Sequence, residues 1–108
     1  MTQKYEVIHY TENNKDIFTN YLHSLRDNQA RLAIDRTVDK IRDGNFGNHT
    51  FCRDGVWEIV INISAGYRVY YSIIGNTVVL LLCAGSKRTQ NKDIDNAVKL
   101  LKKYKEEH

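Results

Sequence analysis

A chain of 108 residues with a formal net charge of +3 has room for one hydrophobic core, and so for a single domain spanning 1–108. With 42% hydrophobic and 27% charged residues it has an ordinary globular composition. No apolar run approaches the roughly 20 residues of a bilayer-spanning helix. The segment Met1-Thr2-Gln3-Lys4-Tyr5-Glu6 lacks the apolar stretch of a secretory signal, so a cytoplasmic location and no membrane partner are expected.

The two cysteines, Cys52 and Cys83, are too few and too far apart for a disulfide framework or a zinc site, and read as reduced core thiols. His9, His23, His49 and His108 do not cluster at ligand spacing. No metal and no cofactor are therefore expected.

In chain order, Tyr5 to Tyr10 alternates and is rich in β-formers, which predicts a first strand. Thr11 or Asn13 can cap a helix running to about Leu25, with Ile17, Tyr21 or Leu22, and Leu25 on one face. Asp27 or Asn28 caps a second helix, whose stripe of Ala30, Ile34, Val38 and Ile41 ends at Gly44. The short link between the two predicts an antiparallel helical hairpin.

From Asn48 onward the period changes to two. A short strand over His49 to Arg53 meets a turn at Asp54-Gly55. Along Val56 to Ile63, Trp57, Ile59, Ile61 and Ile63 point to the core, while Val56, Glu58, Val60 and Asn62 point the other way. In Tyr67 to Ile74, Arg68, Tyr70 and Ser72 share a face opposite Tyr67, Val69, Tyr71 and Ile73. Gly75-Asn76 then signals a hairpin into Thr77 to Cys83, which is apolar on both faces like a covered central strand. A last helix is expected over about Lys92 to Lys105, with Ile94, Ala97 or Val98, Leu101 and Tyr104 inward.

The order β-α-α-β-β-β-β-α describes a single small α+β domain, with a largely antiparallel sheet, two N-terminal helices and a C-terminal helix. The helices are expected to cover the Trp57 face and leave the Arg68 face partly open. An arginine within an apolar hairpin is expensive to bury and well suited to a phosphate-binding surface. Lys87, Arg88 and Lys92 gather in the loop after the apolar strand, where sheet ends present functional loops. Lys99, Lys102, Lys103 and Lys105 read as a solvated helix face.

Five pieces of this chain, in order, resemble the RelE/ParE toxin superfamily, and within it the HigB-like addiction module killer group of type II toxin–antitoxin systems. They are Gly44-Asn45-Phe46-Gly47, Gly55-Val56 with Glu58-Ile59, Gly66-Tyr67-Arg68-Val69-Tyr70, Leu80-Leu81-Leu82-Cys83, and Lys87 with Gln90 and Lys92-Asp93-Ile94. The resemblance implies a small sheet flanked by helices and a toxin that binds the ribosome and cuts mRNA without a metal. The ParE branch instead inhibits DNA gyrase. It also implies a cognate antitoxin, commonly a helix-turn-helix DNA-binding protein. The chain departs from the group's pattern at Thr50, where a lysine is usual, and at Val60, where an arginine is usual. Both changes remove positive charge, which leaves room for a catalytically weakened member acting mainly through antitoxin binding.

Metal-free RNA cleavage sets the 2′-hydroxyl against the adjacent phosphate, and needs a proton acceptor, a proton donor and cations around the developing charge. Under the resemblance, Arg68 is the candidate cation, because its planar fork can hold two phosphate oxygens. Its plain alternative is an ion pair with Glu58. Glu58 can accept a proton or merely anchor that arginine. His49 is a second candidate base, because histidine as a residue type can exchange protons near neutral pH, or simply an exposed histidine at a strand start. Tyr70 can stack on an RNA base or pack within the sheet. Arg53, Lys87, Arg88 and Lys92 are candidate RNA contacts, or ordinary surface cations.

Overall fold

A strand apolar on both faces needs cover on both, and Val78–Ser86 is the axis on which the domain is built. The structure, a computed structural model, describes residues 4–108. Met1-Thr2-Gln3, part of the segment read as lacking a secretory signal, lie outside them. In chain order the elements are β1 (Glu6–His9), β2 (Thr11–Glu12), β3 (Lys15–Asp16), α1 (Ile17–Ser24), α2 (Asn28–Arg42), β4 (His49–Arg53), β5 (Val56–Ile61), β6 (Tyr67–Ile74), β7 (Val78–Ser86), a 3₁₀ turn (Lys87–Thr89) and α3 (Gln90–Glu107). The main sheet has five strands in the order β1-β7-β6-β5-β4. β1 runs parallel to β7, and every other pairing is antiparallel. The expected α+β architecture is therefore present.

Each face of the sheet carries its own core. On one, Phe18 and Leu22 of α1 and Ala30, Ile34, Val38 and Ile41 of α2 pack on Ile59, Val69, Tyr71, Val79 and Leu81. On the other, Ala97, Leu100 and Leu101 of α3 pack on Val56, Tyr70, Leu80, Leu82 and Cys83. A bulge in the β6–β7 pairing, where Tyr70 opposes Cys83 and Tyr71 opposes Leu81, puts Leu82 and its neighbour Cys83 together on the α3 side. The Arg68 face, expected to be partly open, is thus largely covered by α3.

The first helix also begins later than its sequence reads. Asn13 and Asn14 adopt left-handed conformations (φ 53° and 63°) and turn β2 back onto β3. Paired asparagines tolerate this geometry, which the helical pattern had concealed. Asp16 then caps α1 by accepting from the Thr19 backbone N–H at 3.0 Å. Asp27 caps α2 in the same way, through the Ala30 N–H at 3.1 Å, and β4 spans its expected residues. β5 stops at Ile61, while β7 and α3 run longer than their patterns indicate.

Candidate functional site

Strand register assembles a polar cluster beneath the first turn of α3. Glu58 on β5 opposes Tyr70 on β6, and Arg68 opposes Val60 on one side and Gly85 of β7 on the other. Glu58 is 6% exposed, and its Oε2 lies 3.4 Å from Arg68 Nε, whose side chain is 12% exposed. Gln90, the first residue of α3, donates from Nε2 to the same Oε2 at 2.9 Å. Arg68 Nε is within ion-pair range of the carboxylate but lacks hydrogen-bond alignment, and the buried Tyr70 hydroxyl likewise faces Glu58 without a well-aligned hydrogen bond. Burial, and then the charge of Glu58, push the Tyr70 phenol far above its ordinary range.

The helix start that closes over this cluster is seated by a glycine. A Cβ at residue 85 would fall 1.8 Å from Asp93 Oδ2, so the Asp93 carboxylate rests directly on the Gly85 backbone. Thr89 Oγ1 donates to that same oxygen at 2.5 Å. Nearby, Cys83 donates weakly to the Asp93 carbonyl at 3.7 Å. Burial, followed by the Asp93 charge, pushes its thiol up to about 12. Cys83 is inert packing, as its sequence context implies.

Two clefts meet at this helix start. One, of about 510 Å³, runs between β4 and α3 past Thr50, Arg53, Glu58, Gln90, Asn91 and Asp95. The other, of about 390 Å³, is walled by Lys87, Arg88, Thr89 and Lys92. Gln90 and Asn91 line both. A nearly buried carboxylate thus lines one cleft, with an arginine behind it that reaches neither, and a set of exposed cations walls the other. Exposed cations in a row suit a polyanionic chain.

The candidate residues do not all converge here. Glu58 and Arg68 pair directly, and Lys87, Arg88 and Lys92 border the adjoining cleft. Arg53 reaches the first cleft but is held by Asp54 at 2.9 Å and by Asp95, so its charge is locally neutralised. His49 does not join them. It pairs with Ile59, on the α1–α2 face of the sheet, and stacks between Phe46 (5.7 Å) and Trp57 (5.1 Å), with Nδ1 3.2 Å from Tyr71 Oη. A base on that face cannot serve chemistry centred on Arg68. Tyr70 cannot stack on an RNA base either, since it is fully buried against α3. Phe51, 51% accessible on the edge strand β4, packs edge-on against Trp57 at 5.2 Å on the same face as His49.

Gln90 and Asp93 lie within the resembling motif, which says nothing of their roles. The signal available for Asp93 was Gly85, a glycine inside an apolar strand, which marks a close approach of another group. Nothing in the sequence distinguishes the reach of Gln90 to Glu58. Among the described residues there is no group of three or more His, Cys, Asp and Glu placed to hold a metal ion, and no helix long and apolar enough to cross a membrane.

Fold and site together define a small α+β domain with a charged cluster sealed by its C-terminal helix. No family model matches the chain. Over 80 residues it is 39% identical to an uncharacterized protein of Haemophilus influenzae, an alignment covering 74% of this chain and 81% of that protein. The chain belongs to the same family as that protein.

Proposed function

We propose that this protein is a toxin of the RelE/ParE superfamily, of the HigB-like kind, acting in the cytoplasm as a ribosome-dependent, metal-independent mRNA endonuclease. A cognate antitoxin, a helix-turn-helix DNA-binding protein, holds it silent. The observation that carries the reading is the Glu58–Arg68 pair, whose carboxylate lines a cleft that meets a second one walled by Lys87, Arg88 and Lys92.

In this reading Glu58, at the cleft wall, takes the proton of the ribose 2′-hydroxyl. The 2′-oxygen attacks the adjacent phosphorus, the bond to the 5′-oxygen breaks, and the leaving 5′-oxygen takes a proton from solvent while Glu58 returns its own to solvent, giving a 2′,3′-cyclic phosphate and a 5′-hydroxyl. Arg68 balances the charge that builds on the phosphorane oxygens, and the loop cations hold the flanking phosphates. The test is induction of the protein without its antitoxin, followed by mapping of mRNA 5′ ends. New ends within translated messages support the reading, whereas double-strand DNA breaks with intact messages select gyrase as the target.

One observation favours a second reading, a weakened member that works through antitoxin binding. Arg68 is engaged by Glu58 and little exposed, while Thr50 and Val60 supply no charge to compensate. That reading predicts harmless induction together with an intact antitoxin complex.

A further inference from the structure

A guanidinium beside a carboxylate in a partly desolvated site ordinarily closes into two parallel N–H···O bonds. Here it does not. Glu58 Oε2 accepts from the Gln90 amide at 2.9 Å, and Arg68 Nε stands 3.4 Å from that oxygen as a buried donor without an aligned acceptor. Buried donors left so are uncommon, and each asks for an explanation.

We infer that Gln90 is a positioning residue: its amide competes with Arg68 for Glu58 Oε2, so that the guanidinium is held near the carboxylate without being consumed by it. This rests on the reading of Arg68 as the phosphate-binding cation. An arginine closed bidentately on Glu58 has little left to offer a phosphate, whereas one held at 3.4 Å can exchange partners when the phosphate arrives.

Two features fit a positioning role better than a purely structural one. The first turn of α3 is already seated by Asp93 on Gly85 and by the Thr89–Asp93 hydrogen bond, so docking the helix does not depend on Gln90. The side chain is also neutral. It can donate to Glu58 without adding a charge that would compete with Arg68 for phosphate, and it lines both clefts at their junction.

The test compares wild type with Gln90→Leu, and with Gln90→Met as a second apolar variant of similar length should the first fail to fold. The first readout is the Arg68 Nε–Hε signal in ¹H–¹⁵N NMR spectra, assigned by its loss in Arg68→Lys. Removing the amide is expected to move that proton downfield and slow its exchange with water, as the arginine closes on Glu58. The second readout is ribosome-dependent mRNA cleavage, expected to fall about tenfold or more, with the thermal midpoint and antitoxin affinity unchanged. An unaltered Arg68 signal overturns the inference, as does an unaltered cleavage rate in a variant of an active wild type. If wild type itself cleaves nothing, the nuclease reading falls, while the NMR signal still decides the role of Gln90.

Discussion

Asp93 occupies the place that a side chain at residue 85 would take, its Oδ2 1.8 Å from where a Cβ on Gly85 would stand. One contact thereby fixes how closely α3 approaches the sheet, and with it how tightly the Glu58–Arg68 pair is covered. Gly85→Ala is expected to destabilise the fold by about 1–3 kcal/mol through overpacking. Urea unfolding measures this. The double variant Gly85→Ala, Asp93→Ala should recover much of the loss, because it removes the group that is struck.

Tyr70 makes the opposite kind of prediction. Its ring is fully buried in the α3-side core, and its hydroxyl faces the Glu58 carboxylate without a well-aligned hydrogen bond. Deleting such a hydroxyl removes a desolvation cost and no well-aligned bond. Tyr70→Phe should therefore leave stability within about 0.5 kcal/mol of wild type or raise it, whereas Tyr70→Ala should lose about 3–5 kcal/mol. A large loss in Tyr70→Phe would show that the hydroxyl is held after all.

The cap of α1 sets a pH dependence. Burial works to raise the Asp16 carboxyl, but the Thr19 backbone and side-chain hydrogen bonds and the adjacent His9 outweigh it and hold the group below the usual carboxylate range. Since the folded value lies below the unfolded one, near 3.9, its stabilisation is full above that value. It is lost as pH falls through the folded value. Asp16→Ala should cost about 1 kcal/mol at neutral pH and flatten the acid limb of the stability profile. An acid limb equally steep in the variant would assign that dependence to other carboxylates.

Much of this was legible in the sequence because local rules and tertiary packing agree. Asp27, the Ala30-Ile34-Val38-Ile41 stripe and the His49–Arg53 strand stand where capping and periodicity put them. At Asn13-Asn14 turn chemistry overrides a helical pattern. The cover on the Arg68 face is the larger feature that the pattern does not carry. Periodicity says that α3 has an apolar side, but not that the side lies across the sheet from α1 and α2.

The candidate site divides along the same line. Glu58 and Arg68 were paired from alternation on neighbouring strands, a local argument that register upholds. His49 was joined to them by its chemistry alone, and strand alternation carries it to the opposite face. The Gln90 contact is not legible in the sequence, because it spans 32 residues and depends on where a helix docks.

Arg68 as a group that acts on RNA is the centre of the proposed function. The direct measurement is the mapping of mRNA 5′ ends after induction of wild type and of Arg68→Ala, each with and without the antitoxin, with antitoxin binding as the control for folding. The account predicts new 5′ ends within translated codons for wild type alone, lost in Arg68→Ala although that variant still binds antitoxin. Intact messages during wild-type growth arrest, or the same cleavage pattern in Arg68→Ala, would contradict it.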